Sequence, residues 1–489
     1  MAIQEIKESI GTSDKGTLHH YPLCVDLDGT LIKTDILAES LIDLFKKKVL
    51  SAFLIPLWLL RGRAHLKRQI ALRTQLDVTS LPYHSDFLDY IRGEKNSGRH
   101  LYLITASDIT VAMQVADHLK IFEGVFGSDG KTNLKGIVKL QYLRERLKAE
   151  KFVYAGNSSA DLPIWKESAQ AIVVNGTKRL VGRLNKLSIE TREFNDRKNA
   201  FSVIHRALRI HQWSKNLLIF VPLVLAHKVL DLKILFASML AFLSFSVCAS
   251  AQYLFNDLLD LEADRLHSLK KNRPFASGDL PIFIGILGIP VALLASIGIA
   301  WILPRNFLWI LLVYFLMSLL YSLRLKKYIV MDFIVLAGLY TLRLFAGSAA
   351  YLVVITPWLI GFSMFFFTSL ACVKRFAEIR QLRLDNKASV KGRGYIACDM
   401  EQISILGSAS GFLSVLVFAL YINGKEVQEL YRRPFFLWFI CPVLMYWISR
   451  VWILANRGHL TEDPILFALK DKESYLMALG ITAIIILSV

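Results

Sequence analysis

The chain has 489 residues, 54% of them apolar, a net charge of +18 and a mean hydropathy of +0.43. That apolar share exceeds what a soluble chain of this length buries, so much of it must face lipid. Basic loops beside an anionic leaflet account for the charge without nucleic acid, and five cysteines without paired spacing exclude a disulfide framework and a cysteine metal site.

Residues 1 to 215 read as soluble sequence, and the first 25 lack the apolar core of a signal peptide. PLCVDLDGTL, residues 22–31, predicts an apolar strand whose tip carries Asp26 and Asp28 before a Gly-Thr turn. Two carboxylates at one strand tip are unfavourable unless a cation is held there. A second strand, in LYLITASD at 101–108, presents Thr105, and a third ends in AGNSSAD with Asp161 placed to reach the same face. Apolar strands with polar tips, separated by helical stretches, predict a doubly wound sheet with its crevice at the carboxyl edge. Between the first two strands, KKKVLSAFLIPLWLLRGR at 46–63 is basic at both ends and apolar between. It predicts a cap over the crevice or a segment resting on a bilayer, being short for a transmembrane helix.

From Leu217 onward apolar runs recur to the C-terminus. Nine spans are expected, near 216–230, 234–255, 282–303, 307–323, 329–350, 353–373, 402–422, 435–452 and 474–488. Basic residues crowd alternate connections, around Arg265 to Arg273, Arg324 to Lys327, Lys374 to Arg393 and Arg450 to Lys472. By the positive-inside rule these loops and the soluble domain are cytoplasmic, in a multi-pass protein of the inner (cytoplasmic) membrane.

The first of those loops begins NDLLDLEADR, residues 256–265. Helical spacing puts Asp257, Asp260 and Asp264 on adjoining turns of one face, beside Asn256. Such crowding calls for cations, and two Mg²⁺ ions there would hold a diphosphate. Arg265, Lys270 and Arg273 follow, the last two suited to diphosphate oxygens. A second polar cluster comprises Tyr321, Lys326, Asp332, Tyr340 and Arg343. Arg343 lies inside an apolar segment, where it must pair with a carboxylate such as Asp332 or bind an anionic substrate. A third runs from Lys374, Arg375 and Glu378 to KGRGYIACD at 391–399, where Gly392 and Gly394 allow close backbone approach and Lys391 and Arg393 supply charge.

Two resemblances follow. Residues 20 to 180 resemble the haloacid dehalogenase superfamily, an α/β Rossmann-like domain with a helical cap, here placed at about 35–95 of a 1–200 domain. The resemblance implies a phosphatase with Asp26 as nucleophile, Asp28 as acid/base, Thr105 and either Lys139 or Lys135 on the phosphoryl group, and Asp161 completing an Mg²⁺ site with Asp26. Residues 201–489 resemble the UbiA prenyltransferase superfamily, an all-α bundle of nine transmembrane helices. RIHQWSKN with Lys215, YSLRLK, LRLFAG, KRFAE and GRGY ending at Tyr395 resemble its decaprenyl-phosphate phosphoribosyltransferase branch. KRFAEIRQLRLDNKAS stands where aromatic-acceptor members carry a second aspartate-rich motif.

The resemblance implies Mg²⁺-dependent transfer of 5-phosphoribose from 5-phosphoribosyl 1-diphosphate to a polyprenyl phosphate, the soluble domain then removing the 5-phosphate. Prenyl transfer to an aromatic acceptor, a phosphatase merely anchored by its membrane part, and a non-catalytic scaffold or transporter are the rival readings. The oligomeric state is left open, self-association included.

Overall fold

A computed structural model describes residues 20–147, 151–268, 270–384, 393–460 and 463–489. Lys391 and Gly392 of the third polar cluster lie outside the described residues. The chain forms two compact units: residues 1–208 together with 254–288, and residues 209–253 together with 289–489. The division in space therefore differs from the expected boundary at residue 200, because the aspartate-rich hairpin 254–288 belongs with the soluble domain.

In the first unit, β1 (Leu23–Val25), β2 (Leu101–Asp108), β3 (Gly124–Ser128), β4 (Val153–Gly156), β5 (Gln170–Val174) and β6 (Thr191–Phe194) form one sheet in the order β3-β2-β1-β4-β5-β6, with every pairing parallel. Three of these strands were expected. β5 was legible as the apolar run AIVV, whereas the short, mostly polar β6 is a strand only because β5 pairs with it. Leu23, Val25, Leu101, Leu103, Val153 and Ala155 are fully buried, as strands covered on both faces require.

Besides the one-turn helix Val49–Ala52, four α-helices lie between β1 and β2: α1 (Ile36–Lys47), α2 (Ile55–Leu60), α3 (Arg63–Ala71) and α4 (Ser85–Asn96). Asp35 caps α1 by accepting from the Ala38 amide. Phe87, Leu88 and Ile91 of α4 pack in the sheet's own core, whereas Leu44, Trp58, Leu66 and Ile70 form a separate cluster. Within the stretch expected at about 35–95 as a cap, α4 is thus a layer of the sheet domain, while the separate cluster draws on residues 44–70. On the sheet's flanks lie α5 (Ile109–Leu119), α6 (Ile137–Leu147) and α7 (Lys178–Lys186).

Seven helices among the described residues are long and apolar enough to cross a membrane. They are α8 (Leu232–Leu259), α10 (Ile282–Ala300), α11 (Arg305–Leu323), α12 (Met331–Tyr351), α13 (Pro357–Leu384), α14 (Met400–Ile422) and α15 (Ile440–Arg457), the last two each led in by a 3-10 turn. The short α9 (Leu261–Arg265) follows α8, and α16 (Pro464–Ala468) and α17 (Lys472–Ser488) close the chain. The expected first span differs from a single α-helix: Ile210–Phe220 is a 3-10 helix, and the α-helix Val221–Leu225 carries a proline in its first turn. The expected last span is α17, 17 residues long. Gly407 and Gly411 of α14 form a GxxxG pair against α13 and α15. A Cβ at Gly407 would stand 2.2 Å from Trp452 and 2.5 Å from Cys372, so the missing side chains are what let these helices meet.

Candidate active sites

The first site sits where the strand order reverses, at the carboxyl ends of β1, β2 and β4, which is where open α/β sheets form their crevice. Gly29 turns the chain after β1 with φ +72°, and a Cβ there would stand 2.0 Å from the Asn157 side chain at the end of β4. Asp26 accepts Lys139 at 3.0 Å, and Lys139 also donates to the Tyr154 hydroxyl at 3.0 Å. Lys135 is exposed on the preceding turn. The Tyr154 hydroxyl donates in turn to Asp161 at 3.2 Å, and the other Asp161 oxygen accepts the Ser158 amide and hydroxyl at 3.0 and 3.1 Å.

Asp28 accepts the Ile36 amide at 2.8 Å, Ser107 at 2.6 Å and Thr105 at 3.3 Å. From the cap, Lys67 on α3 donates to the Ala106 carbonyl at 2.6 Å and to Asn133 at 3.3 Å. Sequence patterning did not single out Lys67, one of several basic residues in its helix, or Ser107, which lies at the same strand tip two residues beyond Thr105.

Burial pushes the Asp26 carboxyl up to about 7, with Asp161 and Asp28 adding to the rise against the opposing pull of Lys139. Burial likewise raises Asp28 to about 6, with Asp35 contributing. Two buried carboxyls that resist ionisation lack sufficient positive charge nearby, and that deficit fits a hard cation held by one or two carboxylates and a substrate phosphate.

The second site is the hairpin that follows α8. The helix ends at Leu259 and α9 starts at Leu261, so the expected single helical face carries a break at Asp260. The Asp264 amide still bonds to the Asp260 carbonyl at 2.8 Å, and Asp257 and Asp264 remain on one side. One guanidinium nitrogen of Arg273 lies 3.2 Å from Asp257 and 2.6 Å from Asp264. These carboxylates thus converge on a single cationic position; among the described residues no group of three or more His, Cys, Asp or Glu side chains gathers at one point, so Mg²⁺ here would need the phosphates of a substrate to complete its oxygen ligands. Burial raises the Asp264 carboxyl although Arg273 stands beside it. Asp260 and Asn256 are half-buried, and Lys270 is exposed.

Arg265 departs from the expected phosphate-binding role. Its guanidinium holds Glu39 of α1 through two bonds, 2.5 and 3.2 Å, and donates to the Ala276 carbonyl at 3.2 Å. On the same hairpin Asp279 accepts Lys198 at 2.8 Å and Arg206 at 3.4 Å.

In the second unit the expected polar residues separate into two groups. Arg375 is fully buried between Asp332, Glu378 at 2.7 Å and the Tyr321 hydroxyl at 2.8 Å, with Arg393 lying 3.3 Å from Glu378. This network consumes its own charges. Arg375, Asp332, Glu378 and Tyr321 therefore brace the bundle where substrate contact was expected, and Tyr395 is buried in an apolar cluster. Lys326 is half-buried on a 3-10 turn.

The other group centres on Asp463, which caps α16 at the Ile465 amide and was not anticipated. It accepts Lys215 at 2.8 Å, Lys374 at 3.3 Å and the Tyr340 hydroxyl at 3.2 Å. An aspartate before proline reads as a helix cap, and nothing local signals partners 248 residues away. Arg343, expected either to bind an anionic substrate or to pair with a carboxylate such as Asp332, forms no ion pair among the described residues. It donates to Asn216 at 2.8 Å, the Leu339 carbonyl at 2.5 Å and Tyr314 at 3.3 Å. Its guanidinium carbon lies 5.2 to 5.6 Å from the ring centres of Tyr314, Tyr340 and Phe245. Adjacent residues of the RIHQWSKN motif, Lys215 and Asn216, thus serve Asp463 and Arg343 respectively. Three cations against one carboxylate leave an excess of positive charge suited to phosphate.

Residues 217–470, more than half of the chain, match the UbiA prenyltransferase family. The chain belongs to that family. An uncharacterized protein of Sinorhizobium fredii is 39% identical over 93% of this chain and 88% of its own length. The nodulation protein NoeC of Azorhizobium caulinodans is 34% identical over 58% of this chain and 91% of its own. Decaprenyl-phosphate phosphoribosyltransferase of Mycobacterium tuberculosis is 27% identical over 58% of this chain and 92% of its own. The protein is thus a multi-pass membrane enzyme of a transferase family, carrying a parallel-sheet domain at its N-terminus.

Proposed function

We propose that the membrane domain transfers 5-phosphoribose from 5-phosphoribosyl 1-diphosphate to a polyprenyl phosphate. The observation that carries this reading is the pair of charge patterns. Asp257 and Asp264 converge on one cation position, whereas Lys215, Lys374 and Arg343 outnumber Asp463 in the bundle. A donor diphosphate needs the first pattern and a phosphorylated lipid acceptor suits the second. The mycobacterial relative, whose name states such a transfer, supports the choice. An aromatic acceptor offers nothing for the cationic group, so prenyl transfer to such an acceptor is the second reading.

Asp257, Asp260 and Asp264, with Asn256, would hold Mg²⁺. When bound, it neutralises charge on the diphosphate as that group leaves. Arg273 and Lys270 add positive charge at the same place. The bond from C1 of ribose to the diphosphate breaks as an oxygen of the lipid phosphate bonds to C1, and no base is needed because that phosphate is already ionised. Positioning and leaving-group stabilisation carry the rate.

The N-terminal domain we read as a haloacid-dehalogenase-like phosphatase acting on the 5-phosphate of the lipid product. Asp26 attacks phosphorus and becomes an aspartyl-phosphate, the sugar oxygen leaves with a proton from Asp28, and water then releases inorganic phosphate. Lys139, Thr105 and Lys67 would bind the phosphoryl group, and Asp26 with Asp161 would hold Mg²⁺.

A crossing by the segment before α8 is also part of this reading. The bonds of Arg265 to Glu39 and of Asp279 to Lys198 place the soluble domain and the hairpin at the same end of α8. The chain between them must cross an even number of times, so the segment from Ile210 to Leu225, about 30 Å long at 3-10 and α rises, pairs with α8. By the positive-inside rule we read that end as cytoplasmic.

Purified protein given labelled 5-phosphoribosyl 1-diphosphate and polyprenyl phosphate should yield label extractable with lipid. Asp257→Asn and Asp260→Asn should each abolish it while phosphate release by the soluble domain persists. Near-normal transfer by either variant overturns the assignment.

A further inference from the structure

The segment between α1 and α3 carries an apolar surface with no counterpart in the fold's own core. Leu50, Phe53, Leu57 and Leu60 are 83, 77, 52 and 85% exposed, and Leu54 and Leu59 are also exposed. The opposite side of α2 is satisfied: Trp58 is buried on Leu44, Leu66 and Ile70, with the Arg73 guanidinium 4.7 Å from its ring centre. The outward side is therefore not a loose core face awaiting better packing. An apolar surface of this kind on an otherwise well-packed domain marks a binding surface.

Its flanks name the occupant. Lys46 and Lys48 precede the apolar run and Arg61 and Arg63 follow it, all four exposed and none ion-paired among the described residues. Lys47 differs, being paired with Asp43 at 2.7 Å. Cations bracketing an apolar face match anionic headgroups above acyl chains. The eleven residues Leu50–Leu60 would extend only about 17 Å as a helix, against a hydrocarbon core of about 30 Å, so the segment lies in the surface and does not cross. A bilayer is also within the same compact unit's reach, because that unit contains the ends of α8 and α10, with Ile284 and Leu287 exposed.

We propose that residues 46–63 form an interfacial anchor that seats the cap of the N-terminal domain in an anionic bilayer surface. The anchor runs directly into α3, whose Lys67 reaches the Asp28 crevice, so the inserted segment and a crevice-lining cation belong to one short piece of chain. This restricts the crevice to phosphates presented at the membrane. That last step rests on the phosphatase reading, whereas the anchor itself does not.

The test uses the full chain in vesicles of phosphatidylcholine and phosphatidylglycerol. Cys398, which is exposed, and Cys441, which is half-buried, are first replaced by serine. An environment-sensitive fluorophore is then attached in Leu60→Cys, and in Asp89→Cys on α4 as the water-facing control. Emission from position 60 should shift to the blue and lose most of its intensity when doxyl-labelled lipid is included, while position 89 is unaffected. In Arg61→Gln/Arg63→Gln carrying the same label, quenching should become weaker and insensitive to phosphatidylglycerol. A blue shift at position 60 without lipid quenching means that protein, such as a second copy, covers the surface, and this overturns the proposal. So does emission equal to that of position 89. The readout needs no turnover, so its failure is separable from failure of the phosphatase reading.

Discussion

At the scale of single residues, charge balance separates substrate-binding groups from structural ones. Arg375 and Arg343 both looked like substrate ligands in the sequence. Arg375 shares two carboxylates with Arg393, which leaves no unmatched charge, while Arg343 keeps its charge among neutral oxygens and aromatic faces. Arg343→Ala should therefore preserve folded yield and raise the KM for one phosphorylated substrate, as measured by steady-state kinetics with each varied in turn. Unchanged kinetics in a folded variant would remove Arg343 from the site. Asp463 predicts the opposite pattern. Replacing it by asparagine leaves the buried Lys215 and the half-buried Lys374 without their counter-charge, and loss of a buried pair's partner typically costs about 3–5 kcal/mol, so Asp463→Asn should lower Tm clearly in a detergent melt. A variant as stable as the parent would mean that the two lysines are not held by Asp463.

At the scale of elements, the hairpin after α8 owes its position to α1. Ile36, the first residue of α1, donates its amide to Asp28, and Glu39 one turn later takes both ends of the Arg265 guanidinium. Arg265 directly follows Asp264, so the soluble domain holds the aspartate-rich loop by a side chain adjacent to a proposed metal ligand. Glu39→Ala should slow lipid glycosylation severalfold, and Glu39→Arg alone should do worse by placing two cations together. Combining Glu39→Arg with Arg265→Glu should recover part of the loss, because the pair re-forms with its polarity reversed. Absence of any recovery, with both proteins folded, would show that the loop does not depend on this contact.

At the scale of the whole molecule, the two proposed chemistries would be consecutive: one would make a lipid-linked 5-phosphoribose and the other would remove its phosphate. If both sites act at one bilayer face, their tethering would raise the effective concentration of an intermediate that cannot leave the membrane. Asp26→Asn should accumulate lipid-linked 5-phosphoribose, while the parent protein yields lipid-linked ribose and inorganic phosphate, as read by chromatography of extracted lipids. If both proteins leave the same phosphorylated product, the soluble domain acts elsewhere and the transferase reading stands alone.

What the sequence by itself determined was whatever is local. The apolar runs show which segments need lipid, the Asp-x-Asp turn after β1 shows where a strand tip gathers charge, and NDLLDLEADR shows a carboxylate cluster at a helix end. Such features depend on period and composition over ten or twenty residues, and the structure retains them with one break at Asp260 and a 3-10 segment at Ile210–Phe220. Tertiary structure decided every pairing across long separations. It set Asp463 between Lys215 and Lys374, chose Lys139 over Lys135 for Asp26, gave Asp332 to Arg375, and joined Arg265 to Glu39. A buried charge is neutral in effect only once its partner is in place. Which of many lysines, arginines and carboxylates become partners follows from how the helices pack, a property no single stretch of sequence carries.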